Sequence, residues 1–318
     1  MNLVFIGASK FGLRCLEACY ELPNILIVGV VTAPRSFEIS YRPEGVTNVL
    51  HEDLATFADS HSIPVRTLER SMNDKSLFEA VLDWQPDAFL VAGWYHMIPR
   101  SWRKIAPAYG MHASLLPDYS GGAPLVWAII NGEKKTGITL FQMDDGVDSG
   151  PIAGQIQEPI KTEDTIATLY ARIELRGLQL LRETLPKLAE QSLQLVPQDE
   201  SKRRIMPQRS PEDGLINWSQ DAATIDRFIR AQTRPYPGAF SSLEAKPLQI
   251  WSAQVASDSN SEVETGVVHR SEFGIYTVAC RAGAIILNEI TYEQTTYTQS
   301  NLYELLGGGG QRLGVTLH

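Results

Sequence analysis

The first half of the chain alternates short, wholly apolar runs with stretches of helical period, and that alternation constrains the fold more than any other feature. Leu3 to Ile6 is apolar and ends at Gly7, and Phe11 to Tyr20 follows with helical spacing. Ile25 to Val31 is a continuous run rich in β-branched residues, Ile63-Pro64-Val65 a shorter one, and Ala88 to Ala92 is again fully apolar. Between them the pattern predicts a polar loop from Thr32 to about Thr47 and helices over Val46 to Ser60 and near Ser76 to Leu82. Apolar strands separated by helices of this length imply an α/β domain, a mainly parallel sheet covered on both faces. Downstream, Ala123 to Asn131 and Thr165 to Leu188 read as helices, and Gly137 to Met143 as a strand.

Past about residue 205 the pattern changes. A helix over Ala222 to Ala231 precedes short strands at Ala239 to Leu243, Leu248 to Gln254, Thr265 to His269, Ile275 to Ala279 and Ala284 to Ile290. Strands at that spacing suggest a small β-barrel. Gly307 to Gly310 reads as a flexible turn. The expected organisation is one domain over residues 1–190, a polar linker over 191–209 and a second domain over 210–318. A chain of 318 residues is long enough for each domain to bury its own core.

The charge bears on partners. The formal net charge is −9, which disfavours a nucleic-acid substrate, because such binders gain affinity by neutralising phosphates with Lys and Arg. Three cysteines are too few and oddly numbered for a disulfide framework. Cys15 and Cys19 share a helical face and are read as small buried hydrophobes. The first apolar run is too short for a signal peptide, and no run approaches the ~20 residues that span a membrane. A reduced cytoplasm and no membrane are the expectation. Oligomeric state is not legible.

Gly7-Ala-Ser-Lys-Phe-Gly12 follows a strand, but it lacks the central glycine of a dinucleotide fingerprint, and Val31-Thr32 ends the next strand without an acid. These glycines are read as serving a strand-to-helix turn. The densest stretch is Tyr109-Gly-Met-His112-Ala-Ser-Leu-Leu-Pro117, followed by Gly121-Gly-Ala-Pro124. A histidine ending a parallel strand sits where open α/β sheets bind ligands. Downstream, Gly137 to Met143 runs into Asp144-Asp-Gly-Val-Asp148-Ser-Gly150. Spacing alone leaves two readings open: a reacting pair, or a structural histidine with a solvated acidic turn or weak cation site.

The pattern H-x-S-L-L-P, then G-x-A-P, then T-G-I-T-L-x-x-M-D-x-G-x-D-x-G closely resembles the folate-dependent formyltransferase family. Ser210-Pro-Glu-Asp-Gly-Leu-Ile-Asn-Trp218 and Thr233-Arg-Pro-Tyr-Pro-Gly-Ala-Phe240 resemble the start of the C-terminal domain in its methionyl-tRNA formyltransferase branch. The resemblance spans nearly the whole chain. It implies a Rossmann-like domain followed by a small OB-like barrel, and 10-formyltetrahydrofolate as co-substrate with no metal. It puts His112 and Asp148 at the catalytic positions. His96, Met97 and Ile98, the loop Ser114, Leu115, Leu116 and Pro117, and the turn Asp144, Asp145, Gly146 and Val147 match segments that hold the folate. In that chemistry an amine attacks the formyl carbonyl. Asp148 would favour a charged His112 imidazole, able to donate to the oxyanion or relay the amine's proton.

Two departures qualify the resemblance. Most members read N-x-H at the histidine, with the amide supporting the oxyanion, whereas here the position is Gly110. One such donor is worth roughly 2.7–4 kcal/mol. A water, another side chain or the acceptor itself would have to replace it, or the chemistry is hydrolysis of 10-formyltetrahydrofolate, or the chain is a silent ligand-binding protein. The second departure concerns the acceptor. In the tRNA branch the loop after the second strand is basic and arginines follow Leu-Leu-Pro. Here the loop over 33–47 is close to neutral, and Asp118-Tyr-Ser-Gly121 follows Pro117. A small amine, such as an amino sugar nucleotide or an amino acid derivative, is therefore expected over methionyl-tRNA. Lys202-Arg203-Arg204 reads as part of a solvated linker, and Tyr41, Trp94, Tyr95, Tyr119 and Trp127 as a candidate aromatic wall.

Overall fold

The computed structural model describes residues 1–39, 42–256 and 264–314. The chain divides into two compact units: residues 1–124, 135–159 and 171–206 in the first, and 125–134, 160–170 and 207–318 in the second. The unit boundary at Met206 falls inside the stretch read as a linker.

In the first unit, β1 (Asn2–Ile6), α1 (Lys10–Tyr20) and β2 (Leu26–Thr32) follow one another as the apolar pattern implies. Leu3, Val4, Phe5 and Ile6 are all fully buried, the mark of a strand covered on both faces. The next segment differs from expectation. β3 (Ser36–Ile39) and β4 (Arg42–Thr47) pair as an antiparallel hairpin where a loop and the start of a helix were predicted. Pro43 and Gly45 lie within it, and both oppose helix formation. The helix starts only at α2 (Leu54–Ser60), where the Asp53 carboxylate accepts from Ala55 N. Tyr41 lies outside the described residues. β5 (Val65–Thr67), α3 (Lys75–Asp83), β6 (Ala88–Val91), α4 (Arg100–Arg103) and β7 (Ala108–His112) continue the alternation.

A two-residue strand, β8 (Ser120–Gly121), precedes α5 (Pro124–Ile130), β9 (Lys135–Gln142), β10 (Ile152–Pro159) and the long α6 (Ile166–Ala189). The sheet order is β10-β9-β7-β6-β1-β2-β5. The five strands from β7 to β5 are parallel, whereas β9 is antiparallel to both β7 and β10. This is a mainly parallel, Rossmann-like domain. β10 was not expected; its exposed Gln155, Gln157 and Pro159 alternate with only partly buried Gly154 and Ile156, and the buried Glu158 further hides the apolar signal. Cys15 and Cys19 are free and buried on α1, and burial pushes both thiols up.

β11 (Ile205–Met206) ends the first unit. In the second, α7 (Ala222–Gln232) packs against β13 (Lys246–Val255) of a curled antiparallel sheet. That sheet runs β12 (Ala239–Leu243), β13, β16 (Ala284–Tyr292), β15 (Tyr276–Ala279), β14 (Val267–Arg270) and β18 (Gly309–Arg312), with β17 (Thr295–Thr298) also on β16. It forms a half-barrel closed over Trp218, Ile225, Ile229, Ile250, Val278 and Leu287. Sequence reading missed β17, the short helix α8 (Leu302–Leu306) and β18. Gly309 and Gly310 belong to β18, paired with β14, and are not a flexible turn. No helix among the described residues is long and apolar enough to cross a membrane.

Candidate active site

Alternation along β7 puts Gly110 and His112 on one face of the strand. The His112 Nε2 lies 2.8 Å from the Tyr119 carbonyl oxygen. That oxygen only accepts, so this contact places the ring hydrogen on Nε2. Nδ1 is 3.6 Å from Asp148 Oδ2, within ion-pair range but longer than a direct hydrogen bond. The two side chains are 11% and 21% exposed, so water screens their interaction little. Asp148 Oδ2 also accepts from Gly121 N at 2.8 Å. Because β9 is antiparallel, Gln142 lies beside Tyr109, and the turn after it must return along the face to bring Asp148 to the imidazole. Tyr119 and Asp148 both have positive φ, 56° and 49°. Left-handed backbone in non-glycine residues costs energy and is concentrated at functional sites.

The three acids of the turn do different work. Asp144 Oδ1 accepts from Gly146 N at 3.0 Å and Ser149 Oγ at 2.6 Å, knitting the turn together. Asp145 is exposed and accepts from Arg103 Nη2 at 2.6 Å. That hydrogen bond, with Arg100 nearby, holds its carboxyl below the usual range. Asp148 alone faces His112. Val147 is exposed.

The expected folate segments also separate by environment. Ser114 is buried and its Oγ donates to the Asp118 carbonyl at 2.7 Å. Leu116 is buried too; its carbonyl accepts from Gln155 Nε2 at 3.0 Å, and the bond to Pro117 is cis. These residues shape the loop from inside, while Leu115 and Pro117 are partly exposed. Met97 is 68% exposed, whereas Ile98 is 5% exposed and belongs to the core under the sheet. The His96 ring lies 4.9 Å from Phe37 and 5.4 Å from Trp94, and Phe37 also meets Tyr95 at 5.4 Å. Burial lowers the His96 pKa, and neither its Nε2 nor Trp94 Nε1 has a hydrogen-bond partner among the described residues. Phe37, on the hairpin read as a loop, was missed by the sequence reading.

The space above Gly110 is taken. An ideal Cβ there would lie 2.6 Å from Met143 Cε and 3.0 Å from Phe141 Cε1. Methionine and phenylalanine therefore stand where an asparagine side chain would begin, and neither offers an N–H.

The segment after α6 is not a free linker. Gln198 Nε2 donates to the carbonyls of Asp148 at 2.8 Å and Gly150 at 2.7 Å. Arg203 Nη1 donates to Ser120 Oγ at 2.8 Å and the Val147 carbonyl at 3.0 Å. Arg204 grips Asp118 with two hydrogen bonds of 2.5 and 2.6 Å and covers the Tyr119 ring at 4.6 Å. In the stretch after Pro117, which carries no arginine of its own, Asp118 and Ser120 thus each meet a guanidinium from residues 203–204. Nothing in the spacing of Gln198 or Arg203 announced these contacts. Trp127, read as part of an aromatic wall, instead donates to the Pro207 carbonyl at 3.0 Å and lies under Arg209 at 4.7 Å.

Fold and sequence together define a transferase of formyl groups. Residues 1–185 match the family described as Formyl transferase, and residues 209–303 match Formyl transferase, C-terminal domain; the chain belongs to this family. It is 35% identical over 297 residues to the methionyl-tRNA formyltransferase of Citrifermentans bemidjiense, covering 92% of this chain and 89% of that one. Among solved structures, HypX from Aquifex aeolicus in complex with tetrahydrofolic acid matches with a TM-score of 0.63 at 18% identity, covering 96% of this chain. This chain spans only 47% of that protein. The N-formyltransferase from Helicobacter canadensis, in complex with folinic acid and dTDP-3-aminofucose, matches with a TM-score of 0.63 at 19% identity, covering 90% of this chain and 98% of that one. At these identities the structural likeness is one of fold.

Proposed function

We propose that the chain transfers the formyl group of 10-formyltetrahydrofolate to the primary amine of a small molecule, with His112 and Asp148 as the reacting pair. The 3.6 Å approach of their side chains carries this reading. Bound 10-formyltetrahydrofolate supplies an activated formyl carbonyl. The chain's residues suit such a ligand: the Phe37, Tyr95 and His96 rings give an aromatic surface for a heteroaromatic ring, and behind it the buried His96 Nε2 and Trp94 Nε1 have no hydrogen-bond partner among the described residues. Met97, Leu115, Pro117 and Val147 add accessible apolar surface, while Ser114, Leu116, Asp144, Asp145, Gly146 and Ile98 hold the bordering segments in shape.

An amine that attacks a carbonyl gains positive charge and must lose a proton. In this reading His112 Nδ1 takes or returns that proton, and Asp148, anchored by Gly121 N and 3.6 Å from Nδ1, balances the charge on the ring. To reach substrate with its other nitrogen, the imidazole must release the Tyr119 carbonyl.

A small acceptor is favoured because the guanidinium groups bordering the site are compensated. Arg203 is paired with Glu200 at 2.5 Å and Arg204 with Asp118 at 2.5 Å, which leaves little net charge for a phosphate backbone. An amino sugar nucleotide or an amino acid derivative fits that setting. Methionyl-tRNA is the second reading, supported by the 35% identity that extends through both domains.

The deciding experiment incubates the protein with 10-formyltetrahydrofolate, a panel of amines and methionyl-tRNA, and detects formylated product by mass spectrometry. Formylated small amine supports the first reading, and formylmethionyl-tRNA the second. Cofactor turnover at a rate unchanged by any acceptor would replace both with hydrolysis. His112→Ala and Asp148→Asn should each abolish turnover without loss of the folded state, and near-wild-type rates in either would remove the pair from the mechanism.

A further inference from the structure

Residues 196–206 run over both loops that hold the proposed reacting pair, and fasten each one separately. Val196 exchanges backbone hydrogen bonds with Ile152, just after the acidic turn, at 2.9 and 2.7 Å. Gln198 then holds the backbone of the turn itself, at Asp148 and Gly150. Further along, β11 pairs in parallel with β8: Ser120 N donates to the Arg204 carbonyl at 3.0 Å and Gly122 N to the Met206 carbonyl at 2.9 Å. Gly121, between them, is the residue whose N–H holds the Asp148 carboxylate.

Arg203 joins these two attachments. Its side chain is 11% exposed, and its guanidinium reaches Ser120 on one loop and Val147 on the other, the residue before Asp148. The same group meets Gln198 Oε1 at 3.3 Å and is aimed by Glu200 through bonds of 2.5 and 2.7 Å. A planar guanidinium with five donors can bridge a hydroxyl, a carbonyl and a carboxylate in one fixed geometry, which an ammonium cannot.

We propose that Arg203 is a positioning residue: bound through Glu200 and Gln198, it clamps the Ser120 and Val147 loops together and so sets the distance between Asp148 and His112. This rests on the assignment of that pair made above. The pair stands just beyond hydrogen-bond length, so a small displacement of either loop decides whether the carboxylate engages the imidazole. Misplacement of about 1 Å can cost on the order of 10²-fold in rate.

The test uses the full-length protein as wild type, Arg203→Ala, Arg203→Lys, Asp148→Asn and Lys202→Ala, the last removing a neighbouring cation that pairs with Asp199. Two readouts are needed. Tetrahydrofolate release from 10-formyltetrahydrofolate is followed with the pooled amine panel and methionyl-tRNA present, and backbone hydrogen exchange is followed over residues 118–122 and 144–150. Arg203→Ala should lower kcat about 10- to 100-fold, with KM for 10-formyltetrahydrofolate changed less than about 3-fold. Exchange should accelerate in both loops and stay at the wild-type rate in β1 and β6. Guanidinium ion added to Arg203→Ala should restore part of kcat, Arg203→Lys should recover less than half of it, and Lys202→Ala should match wild type. Loop exchange at the wild-type rate in Arg203→Ala overturns the proposal, as does faster exchange with kcat within 2-fold of wild type. Acceleration that spreads to β1 and β6 overturns it too, because the residue would then serve general stability. An active Asp148→Asn rejects the reacting pair itself, whereas an inactive Asp148→Asn beside a fully active Arg203→Ala rejects only the clamp.

Discussion

Replacing Gly110 with asparagine is the most informative perturbation, because it restores the side chain that most of the family carries two residues before the histidine. The structure sets the cost. The new Cβ would start 2.6 Å from Met143 Cε and 3.0 and 3.2 Å from the Phe141 ring. Met143 meets it with the end of a flexible side chain and can turn aside. Phe141 lies directly opposite Gly110 on β9 and is only 2% exposed, so its ring can give by no more than a few tenths of an ångström. Overpacking of this kind costs about 1–3 kcal/mol, and a buried amide that finds no partner adds about 1–3 kcal/mol. The single variant should therefore lose about 2–6 kcal/mol of stability and gain no rate. Met143→Ala in the same chain removes the nearest obstacle. The double variant should be more stable than the sum of the two single changes, and its kcat should exceed that of Met143→Ala about 10²-fold if the amide reaches the reacting carbonyl. Denaturant unfolding and single-turnover rates measure the two effects separately. Gly110→Asn alone with wild-type stability and raised kcat would refute the claim that Met143 and Phe141 block the site. A double variant with no rate gain would show that some other group already fills the asparagine's role.

Three further outcomes follow from the geometry. Gly121→Ala places a Cβ 2.5 Å from the Met206 carbonyl at a φ of +89°, so it should destabilise by about 2–4 kcal/mol and slow turnover by disturbing Gly121 N, measured by thermal unfolding and kcat. The Arg204–Asp118 pair is half-exposed, so Asp118→Asn should cost no more than about 1 kcal/mol by denaturant unfolding; a larger loss would mark the pair as more than a surface bridge. His96 has its pKa depressed by burial, so the unfolded chain takes up its proton first as pH falls. Stability should decline from about pH 6.5, the unfolded value, down to the lower folded value. His96→Gln should flatten that slope between pH 7 and 5, and an unchanged slope would assign the acid sensitivity elsewhere.

The sequence by itself determined the class of fold and the family. Leu3 to Ile6 and Ala88 to Val91 are strands buried on both faces, and an unbroken apolar run is the local signature of that burial. The H-x-S-L-L-P and D-x-G-x-D segments carried the resemblance because neighbours in sequence form each loop. The tertiary structure decided what spacing does not encode. β3 and β4 pair antiparallel, and Phe37 on β3 meets His96, a contact between segments far apart in the chain. β9 is antiparallel, since strand direction depends on pairing and not on periodicity. Arg203 looked like one cation in a polar run, and only its approach to Ser120 and Val147, 83 and 56 residues away, gives it a place in the site. Gly110 marked a missing donor in the sequence; the structure added that Met143 and Phe141 occupy its space. Long-range packing fixes which side chains meet, and the order of residues along one chain carries little of that information.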